Sequence, residues 1–150
     1  MRLVIQRVSG ASVRIDGKTV SEIGKGLLVL VGVEEGDSEE DCLWLVNKTA
    51  CMRIFDDEAG VMNLSVKDID GEVLAVSQFT LTASTRKGNR PSYIRAAGHG
   101  LAIPLYEKYC DSLSELLGRK VGRGVFGADM KVSLTNDGPV TIIIDSRLKE

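Results

Sequence analysis

The chain has 150 residues, a length typical of one domain and large enough to fold without disulfide or metal cross-links. Hydrophobic residues make up 43% of it and charged residues 27%, which are ordinary values for a globular protein. The formal net charge of −2 argues against a broad, sequence-independent grip on a nucleic acid backbone, although it leaves room for a local basic patch.

Cysteine usage and the N-terminal residues bear on the cellular compartment. Cys42, Cys51 and Cys110 are odd in number and share no ligand spacing, which argues against a disulfide framework and against a zinc site. Met1-Arg2 leads directly into an alternating run, and no stretch reaches the ~18 apolar residues of a membrane span. We therefore expect a cytoplasmic protein without a membrane partner.

The N-terminal quarter of the chain predicts strands only. Two strand-like runs, 3–8 and 11–15, are separated by Ser9-Gly10. Asp16-Gly17 predicts a hairpin that returns the chain along 18–23. The continuous apolar run 27–33 is typical of a strand that is buried on both faces.

A first helix is predicted to begin near residue 38. Asp37 or Ser38 can cap it, and Glu40 or Asp41 lies three residues further on as the reciprocal partner of a capping box. The spacing i, i+3, i+4, i+7 predicts its buried face, which is formed by Cys42, Leu45, Val46 and Thr49. Trp44 falls outside that stripe and covers either a partner surface or the flank of the helix; we favour the flank.

A second helix is predicted before Gly118, which is a natural stop. Pro104 is tolerated only near its first turn. Its apolar residues recur at helical spacing: Leu101, Leu105, Tyr106, Tyr109, Cys110, Leu113 and Leu117. The one histidine, His99, has no neighbouring Ser, Cys or Asp in a triad arrangement, so we expect it to begin the helix rather than to act in catalysis.

Between the helices, 61–64 predicts a short strand and 72–81 a stronger one. The second half of the stronger strand, Ser77-Gln78-Phe79-Thr80-Leu81, carries three polar side chains where a buried strand would continue apolar. A loop over 82–91 follows and holds Arg86, Lys87 and Arg90 around Gly88-Asn89. This basic loop either binds phosphate through charge and backbone N–H groups or simply faces solvent.

The last third of the chain is organised around Asn136-Asp137-Gly138-Pro139-Val140-Thr141, which lies between two alternating runs. Strand signals near 120–126 and 129–135 lead up to it. Asn136, Asp137 and Gly138 favour a β-hairpin, and a functional loop is the alternative. Pro139 has no N–H for a ladder, which confines it to an edge or a strand start, and Gly-Pro also admits a cis bond.

These elements predict one α+β domain over 1–150. Antiparallel and mixed strands would form a barrel-like sheet with the two helices packed on one side. The string Gly122-Arg123-Gly124-Val125-Phe126-Gly127 spells G-x-G-x-x-G, but strand-like residues follow it where a dinucleotide site requires a helix. We therefore reject a dinucleotide-binding function.

Two motifs, taken together, resemble the signatures of the D-aminoacyl-tRNA deacylases: 77–81 and 136–141, in that order and separation. The resemblance extends through 1–8, 85–92 and 126–130, covers nearly the whole chain, and departs from the family at neither signature. It implies a cytoplasmic homodimer that hydrolyses the ester between a D-amino acid and the 3′ end of tRNA. It also implies removal of glycine mischarged on tRNA-Ala, the use of no metal or other cofactor, and no DNA partner.

The resemblance assigns the catalytic role to Ser77, Gln78, Phe79 and Thr80 at the end of a strand. Backbone N–H groups of Phe79 and Thr80 are the implied donors to an oxyanion, worth roughly 2.7–4 kcal/mol each. Thr80 has been a candidate nucleophile in this family, but a threonine without an adjacent base is poorly activated, so we expect it to position the substrate. In the family the ribose 2′-OH of the substrate assists, which would explain why no general base is found.

Substrate and tRNA binding are implied for a second group of residues: Phe126, Met130, Arg86, Lys87, Arg90, Asn136 and Thr141. Phe126 and Met130 match positions around the terminal adenine, with simple core packing as the alternative. Gly138-Pro139 of one subunit would enter the active site of the other. A cis bond there would form a main-chain wall that rejects L-amino acids and accepts D-amino acids and glycine.

Two other functions stay open at this point. One is a non-catalytic dimer that binds RNA ends or nucleotides through the basic loop. The other is a hydrolase that uses a threonine or serine nucleophile on a different ester.

Overall fold

The computed structural model describes residues 1–150, with two helices, a 3₁₀ turn and eight strands. The helices are α1 (Glu39–Cys51) and α2 (His99–Leu117), and the 3₁₀ turn spans Phe79–Thr82. The strands are β1 (Arg2–Ile15), β2 (Lys18–Ile23), β3 (Gly26–Gly32), β4 (Phe55–Asp56), β5 (Met62–Leu64), β6 (Glu72–Ser77), β7 (Gly122–Arg123) and β8 (Lys131–Asp145). Neither helix is long and apolar enough to cross a membrane.

The long strand β1 lies at the centre of the main sheet. Its first half pairs with β3, its second half with β2, and β8 runs along its other side, all antiparallel. β6 and β7 continue the sheet beyond β3 in parallel. Because β2 also contacts β6 and β7, the sheet curls on itself. The predicted mixed, barrel-like sheet is confirmed.

Strand β3 is buried on both faces, as its continuous apolar run predicted. Leu27, Val29 and Val31 pack into the larger core cluster, which also contains the inner faces of α1 and α2. Leu28 points the other way, into a smaller cluster inside the curl of the sheet with Val8. Both helices therefore lie on one side of the sheet, as expected.

Helix α1 begins with the capping box that its sequence predicted. Ser38 is the N-cap: its Oγ accepts from the Asp41 N–H at 3.4 Å, and its own N–H donates to the Asp41 carboxylate at 2.9 Å. The predicted face is fully buried: Cys42, Leu45, Val46 and Thr49. Trp44 packs against the edge of the core, on the helix flank, with the ammonium groups of Lys48 and Lys149 over its ring.

Helix α2 begins where the sequence predicted, at the one histidine of the chain. Pro104 is its sixth residue and lies in the second turn, next to the first turn near which we expected a proline to be tolerated. The helix ends as predicted at Gly118, whose φ of 68° is the left-handed conformation that glycine adopts without steric cost.

Three strand predictions were wrong in extent. β1 continues through Ser9-Gly10, because its pairing with β8 shifts register there instead of stopping. β6 ends at Ser77, and the polar residues that follow form the 3₁₀ turn. Of the predicted strand 120–126, only Gly122 and Arg123 pair with β6, followed by a single bond from the Gly124 N–H to the Ala75 carbonyl at 3.2 Å.

The predicted hairpin at 136–141 is also wrong. β8 is one strand from Lys131 to Asp145, and both of its halves pair with β1. Val8 lies opposite Asn136 and Gln6 opposite Thr141, so only Arg7 faces the four residues 137–140. These four residues form a bulge. The turn residues interrupt the strand locally without reversing the chain, because β1 is long enough for β8 to resume pairing with it after the bulge.

Candidate active site

A cavity of about 490 Å³ lies where the adjacent C-terminal ends of β3 and β6 meet the start of α2. Its lining is mainly apolar and comes from four parts of the chain: Val31, Val33, Val76, Ser77, Gln78, Phe79, Ala96, Ala97, His99, Ala102, Tyr106, Phe126, Gly127, Ala128, Asp129, Met130 and Val132. A concave apolar pocket with a few polar groups is the usual form of a small-molecule site.

The turn after β6 supplies the polar side of the cavity. The Gln78 N–H donates to the Val31 carbonyl at 2.8 Å, which holds this turn against β3. The Leu81 N–H then donates to the Gln78 carbonyl at 3.2 Å and closes the 3₁₀ turn. Phe79 and Thr80 occupy its first two positions, whose N–H groups have no acceptor within a helical turn. Such N–H groups attract an anion or a developing oxyanion.

The Thr80 hydroxyl lies beside the cavity, not in its lining. It accepts a hydrogen bond from the Gln78 side-chain amide at 2.5 Å. No histidine, carboxylate or lysine hydrogen-bonds this hydroxyl. The contact therefore holds Thr80 in position but does not activate its oxygen for attack.

The opposite wall of the cavity is aromatic. The ring of Phe126 lies 5.5 Å from His99 in an edge-to-face arrangement and 6.2 Å from Tyr106. Tyr106 donates its hydroxyl to the Ala75 carbonyl at 2.8 Å, and burial raises the pKa of Tyr106 far above its ordinary range. Tyr106 is thus a fixed neutral donor to the backbone, unsuited to proton transfer with a ligand. Met130 completes this wall.

The basic loop lies outside the cavity. Ser84 and Ser92 exchange two backbone hydrogen bonds of 2.9 Å and close a loop in which Arg86, Lys87 and Arg90 are all exposed. Tyr93 follows directly and packs edge-on against Phe79, with the ring centroids 5.1 Å apart. The loop is therefore joined to the rim of the cavity through this aromatic pair.

The β8 bulge, residues 137–140, also lies outside the cavity of its own chain. Arg7 crosses beneath it, donating to the Asp137 carbonyl at 2.9 Å and to the Ile54 carbonyl at 2.7 Å. The Asn136 amide oxygen accepts from the Val140 N–H at 3.0 Å, and the amide nitrogen donates to Thr141 at 3.0 Å.

These bonds hold the exposed tip of the bulge, Gly138-Pro139, in one conformation. The peptide bond between the two residues is cis. A Cβ on Gly138 would lie 2.8 Å from the Val140 side chain and 3.0 Å from the Arg7 guanidinium, and its φ is +134°. Glycine is therefore required at the tip on both steric and conformational grounds.

The cavity is poor in groups that can transfer protons. Asp129 and His99 are its only titratable lining side chains besides Tyr106, and Asp129 forms an exposed ion pair with Lys131 at 2.9 Å. No cluster of three or more His, Cys, Asp or Glu side chains could hold a metal ion. The arrangement can bind a planar ligand against its aromatic wall and present backbone N–H groups to a reacting carbonyl.

Comparison with known proteins identifies the relatives of this chain. Residues 4–145 match the sequence profile of the family described as D-Tyr-tRNA(Tyr) deacylase.

The chain belongs to the D-Tyr-tRNA(Tyr) deacylase family.

Curated relatives of this deacylase-family chain are similar over their full length. It is 60% identical to the D-aminoacyl-tRNA deacylase of Bacteroides thetaiotaomicron and 63% identical to that of Flavobacterium psychrophilum, and each alignment covers all of both chains. Among solved structures, it is similar to a chain described as c-Myc DNA Unwinding Element Binding Protein, with 38% identity, a TM-score of 0.92, and 97% and 98% of the two chains covered.

A second solved structure, described as a probable eukaryotic D-amino acid tRNA deacylase, is 17% identical with a TM-score of 0.82. It covers 95% of this chain and 97% of its own, and it supports the fold.

The structure brings together only part of the predicted site of this deacylase-family chain. Thr80 lies beside the cavity. Five predicted residues line it: Ser77, Gln78, Phe79, Phe126 and Met130. The remaining predicted residues lie elsewhere in the same chain: Arg86, Lys87 and Arg90 in the basic loop, and Asn136, Gly138, Pro139 and Thr141 in and beside the bulge.

Sequence reasoning missed two contributions to these surfaces. His99, Ala102 and Tyr106 line the cavity from one face of α2, and their spacing i, i+3, i+7 is a signal that could have identified them together. Arg7 anchors the bulge from 130 residues away along the chain, and no local pattern indicates that contact.

Proposed function

We propose that this protein hydrolyses the ester bond of D-aminoacyl-tRNA and releases the D-amino acid and the tRNA. One observation carries the proposal: the Ser77–Thr80 signature forms a turn with free N–H groups beside an aromatic cavity, in a chain 60% identical to a protein named D-aminoacyl-tRNA deacylase. Water adds to the ester carbonyl carbon, the bond to the ribose oxygen breaks, and that oxygen leaves with a proton.

Backbone donors are the main catalytic groups in this proposal. The N–H groups of Phe79 and Thr80 stabilise the negative charge that develops on the carbonyl oxygen, because the first positions of the 3₁₀ turn leave them without an acceptor inside the turn. An aminoacyl ester is already activated, so it asks less of its catalyst than an amide. The scarcity of titratable groups in the cavity fits such a mechanism.

The Thr80 hydroxyl positions the substrate and does not attack it. Its acceptance of a hydrogen bond from Gln78 at 2.5 Å and the absence of a base beside it support this assignment. The ribose 2′-OH of the tRNA then assists proton transfer at the leaving oxygen. No side chain of the protein is placed to act there as a general acid or base.

The 3′-terminal adenosine occupies the aromatic side of the cavity. Phe126 offers a ring on which a base can stack, and Met130 closes the wall beside it. The exposed cations Arg86, Lys87 and Arg90 contact the phosphates that precede this nucleoside, since their loop adjoins the cavity rim through the Tyr93–Phe79 pair.

The active enzyme is a homodimer in which each bulge completes the partner's cavity. Gly138 and Pro139 are exposed and absent from the lining of their own cavity, so a direct role in substrate selection requires a second subunit. The outer side of β8 also exposes Ile143 and Leu134, as an edge strand does where another chain covers it.

Chirality is selected by main-chain atoms of this bulge. In the D-isomer of an amino acid, the Cα hydrogen and the side chain have exchanged positions relative to the L-isomer. A wall beside Cα therefore meets the hydrogen of one isomer and the side chain of the other. Gly138 lacks Cβ, so its backbone can approach the substrate closely, and Arg7 and Asn136 keep it there. L-side chains clash and are rejected, whereas D-side chains point outward. Glycine carries no side chain, so glycyl-tRNA(Ala) is also a substrate.

Deacylation by the purified protein tests this proposal. D-tyrosyl-, L-tyrosyl- and glycyl-tRNA(Ala) would each be incubated with it after metal chelation, and release of the amino acid would be followed. We expect D-tyrosine and glycine to be released and L-tyrosine to stay bound. Equal rates for D- and L-tyrosyl-tRNA would refute the chirality mechanism, and no release at high enzyme concentration would refute the deacylase function.

Nucleic acid binding without catalysis is a second candidate function. The solved relative with 38% identity is named as a DNA-binding protein, and the basic loop offers three exposed cations. Titration of duplex DNA and of uncharged tRNA at several salt concentrations distinguishes the two, because backbone-driven binding weakens steeply with salt. Tight duplex binding together with inactive ester hydrolysis would favour this second function.

A further inference from the structure

The cavity-facing stripe of α2 begins with a residue that the proposed mechanism does not use. His99, Ala102 and Tyr106 recur at i, i+3 and i+7 and all line the cavity. Ala102 and Tyr106 are buried and leave no polar atom for a ligand, because the Tyr106 hydroxyl is committed to the Ala75 carbonyl. His99 is exposed at the cavity mouth and is the only histidine in the chain.

The position of His99 is held by the backbone around it. The Ala97 N–H donates to the Val33 carbonyl at 3.0 Å, and the Gly98 N–H donates to the Glu35 carboxylate at 2.8 Å. These two bonds attach the start of α2 to the chain that follows β3. The imidazole therefore projects from a fixed point of the cavity wall, not from a loose loop.

The imidazole keeps its hydrogen-bonding capacity free. Its ring packs edge-to-face with Phe126, with centroids 5.5 Å apart and planes 86° apart. Neither ring nitrogen hydrogen-bonds another group of the protein. A neutral imidazole offers one donor and one acceptor in the plane of its ring. His99 is thus the one cavity-lining aromatic side chain with unpaired polar atoms.

We propose that His99 recognises the terminal purine of the substrate by donating a ring N–H to an acceptor nitrogen on the edge of the base. The inference rests on the proposed function, in which that base stacks on Phe126. A base parallel to Phe126 stands perpendicular to the imidazole, so the in-plane N–H of His99 can point along the plane of the base to its edge. Phe126 supplies the platform and His99 supplies the polar contact.

Two substitutions separate this role from simple packing. His99→Phe keeps a ring against Phe126 but removes the N–H, and His99→Gln keeps a donor but removes the ring. The matched control is Lys108→Ala, on α2 outside the cavity lining, where the ammonium lies 4.0 Å from Glu39 across the helix interface. Thermal unfolding of each variant checks that it remains folded.

The probe is D-tyrosine in amide linkage to 3′-amino-3′-deoxyadenosine, which the enzyme cannot hydrolyse as an ester. Since there is one histidine, the imidazole Cε1–H gives a single resonance in NMR spectra. We expect that resonance to shift on titration of wild-type protein with the probe. We expect His99→Phe to raise the Kd by about two- to tenfold, the range of one net hydrogen bond, and His99→Gln to recover part of the loss.

Base identity and kinetics provide two further readouts. The same amide built on 3′-amino-3′-deoxyuridine should bind wild type and His99→Phe equally, because uracil has no acceptor ring nitrogen like the one that His99 contacts on the purine. With D-tyrosyl-tRNA, His99→Phe should raise KM and leave kcat within about twofold, as expected for a contact made equally in the ground and transition states.

The possible failures are distinguishable. If wild type hydrolyses D-tyrosyl-tRNA and binds the adenosine probe, but the histidine resonance does not move or His99→Phe binds as tightly as wild type, the inference about His99 is wrong and the proposed function stands. If wild type neither hydrolyses the ester nor binds the probe, both are wrong.

Discussion

Thr80 illustrates at the scale of one residue how geometry decides between two chemical roles. Its hydroxyl accepts a hydrogen bond from Gln78 and has no base beside it, whereas its backbone N–H occupies a free position of the 3₁₀ turn. A side-chain substitution removes the first feature and keeps the second. Substitution of the Thr80 side chain therefore distinguishes a positioning role from nucleophilic catalysis in a single experiment.

We expect Thr80→Ala to lower kcat/KM for D-tyrosyl-tRNA by about five- to thirtyfold, the effect of losing one positioning hydrogen bond of roughly 1–2 kcal/mol. Residual activity should persist because the backbone donors remain. Thr19→Ala, an exposed threonine of β2, is the control. A folded but fully inactive variant, together with a trappable acyl-enzyme in wild type, would instead establish Thr80 as the nucleophile.

Gly138 is the residue at which the bulge tolerates least change. Its φ of +134° and the short approaches that a Cβ would make to Val140 and Arg7 predict that Gly138→Ala costs about 1–3 kcal/mol of local stability. We expect D-tyrosyl-tRNA deacylation to fall by at least about tenfold. Gly100→Ala in α2, where a Cβ would meet nothing within 4 Å, should leave activity unchanged.

Thermal unfolding and deacylation rates, measured on the same samples, test this prediction. A Gly138→Ala protein with wild-type activity would show that the tip of the bulge does not meet the substrate.

At the scale of elements, the capping box of α1 makes the free energy of unfolding depend on pH in the acid range. Burial acts to raise the pKa of Asp41, but hydrogen bonds from Ser38 and Ser146, together with the charge of the N-terminus, outweigh it and hold that pKa below its ordinary value. A carboxyl with a depressed folded-state pKa stabilises the protein above its unfolded-state pKa, and this contribution is lost as the pH falls through the folded-state value.

Asp41→Ala should therefore lower the free energy of unfolding by about 1 kcal/mol at neutral pH, as the loss of a helix cap does. The difference from wild type should shrink at a pH below the ordinary pKa of an aspartate. Urea unfolding at several pH values measures it. Glu40→Gln, in the same helical turn, is the matched control, because Glu40 takes no part in the capping box. A pH-independent difference would contradict the assignment to the carboxylate.

At the scale of the whole molecule, the cavity and the bulge belong to one site only if two chains meet. The chain mass is 16.2 kDa, and we expect light scattering at micromolar concentration to report twice that value. Isologous two-fold symmetry would then place each bulge at the other subunit's cavity. A monomer that deacylates D-tyrosyl-tRNA would contradict the shared site.

Mixing two defective variants tests the shared site directly. Ala97→Phe fills a cavity that Ala97 lines, and Gly138→Ala damages the bulge. In a hybrid dimer one site combines an intact cavity with an intact bulge, so unfolding and refolding an equal mixture should restore about a quarter of wild-type activity. If each chain supplied its own complete site, the mixture would be no more active than its components.

Features of this fold that depend on neighbouring residues could be predicted from the amino-acid sequence. The alternation and continuous apolar runs of the first 33 residues predicted β2 and β3, because strand periodicity is a local property. The capping box near Ser38 located the start of α1, and the Gly118 stop located the end of α2, since caps are contacts between near neighbours. The two signature motifs indicated the family for the same reason: each is a contiguous string.

The way in which distant parts of the chain combine could not be predicted and is seen in the folded structure. The turn signal at 136–139 is real, but β1 is long enough to pair with both halves of β8, so the predicted hairpin became a bulge held by Arg7. The helical spacing of His99, Ala102 and Tyr106 groups them on one face of α2 but does not say what that face meets. His99 joins the cavity because the start of α2 is attached to the chain that follows β3. Long-range pairing and packing depend on which surfaces meet, and neighbouring residues alone do not contain that information.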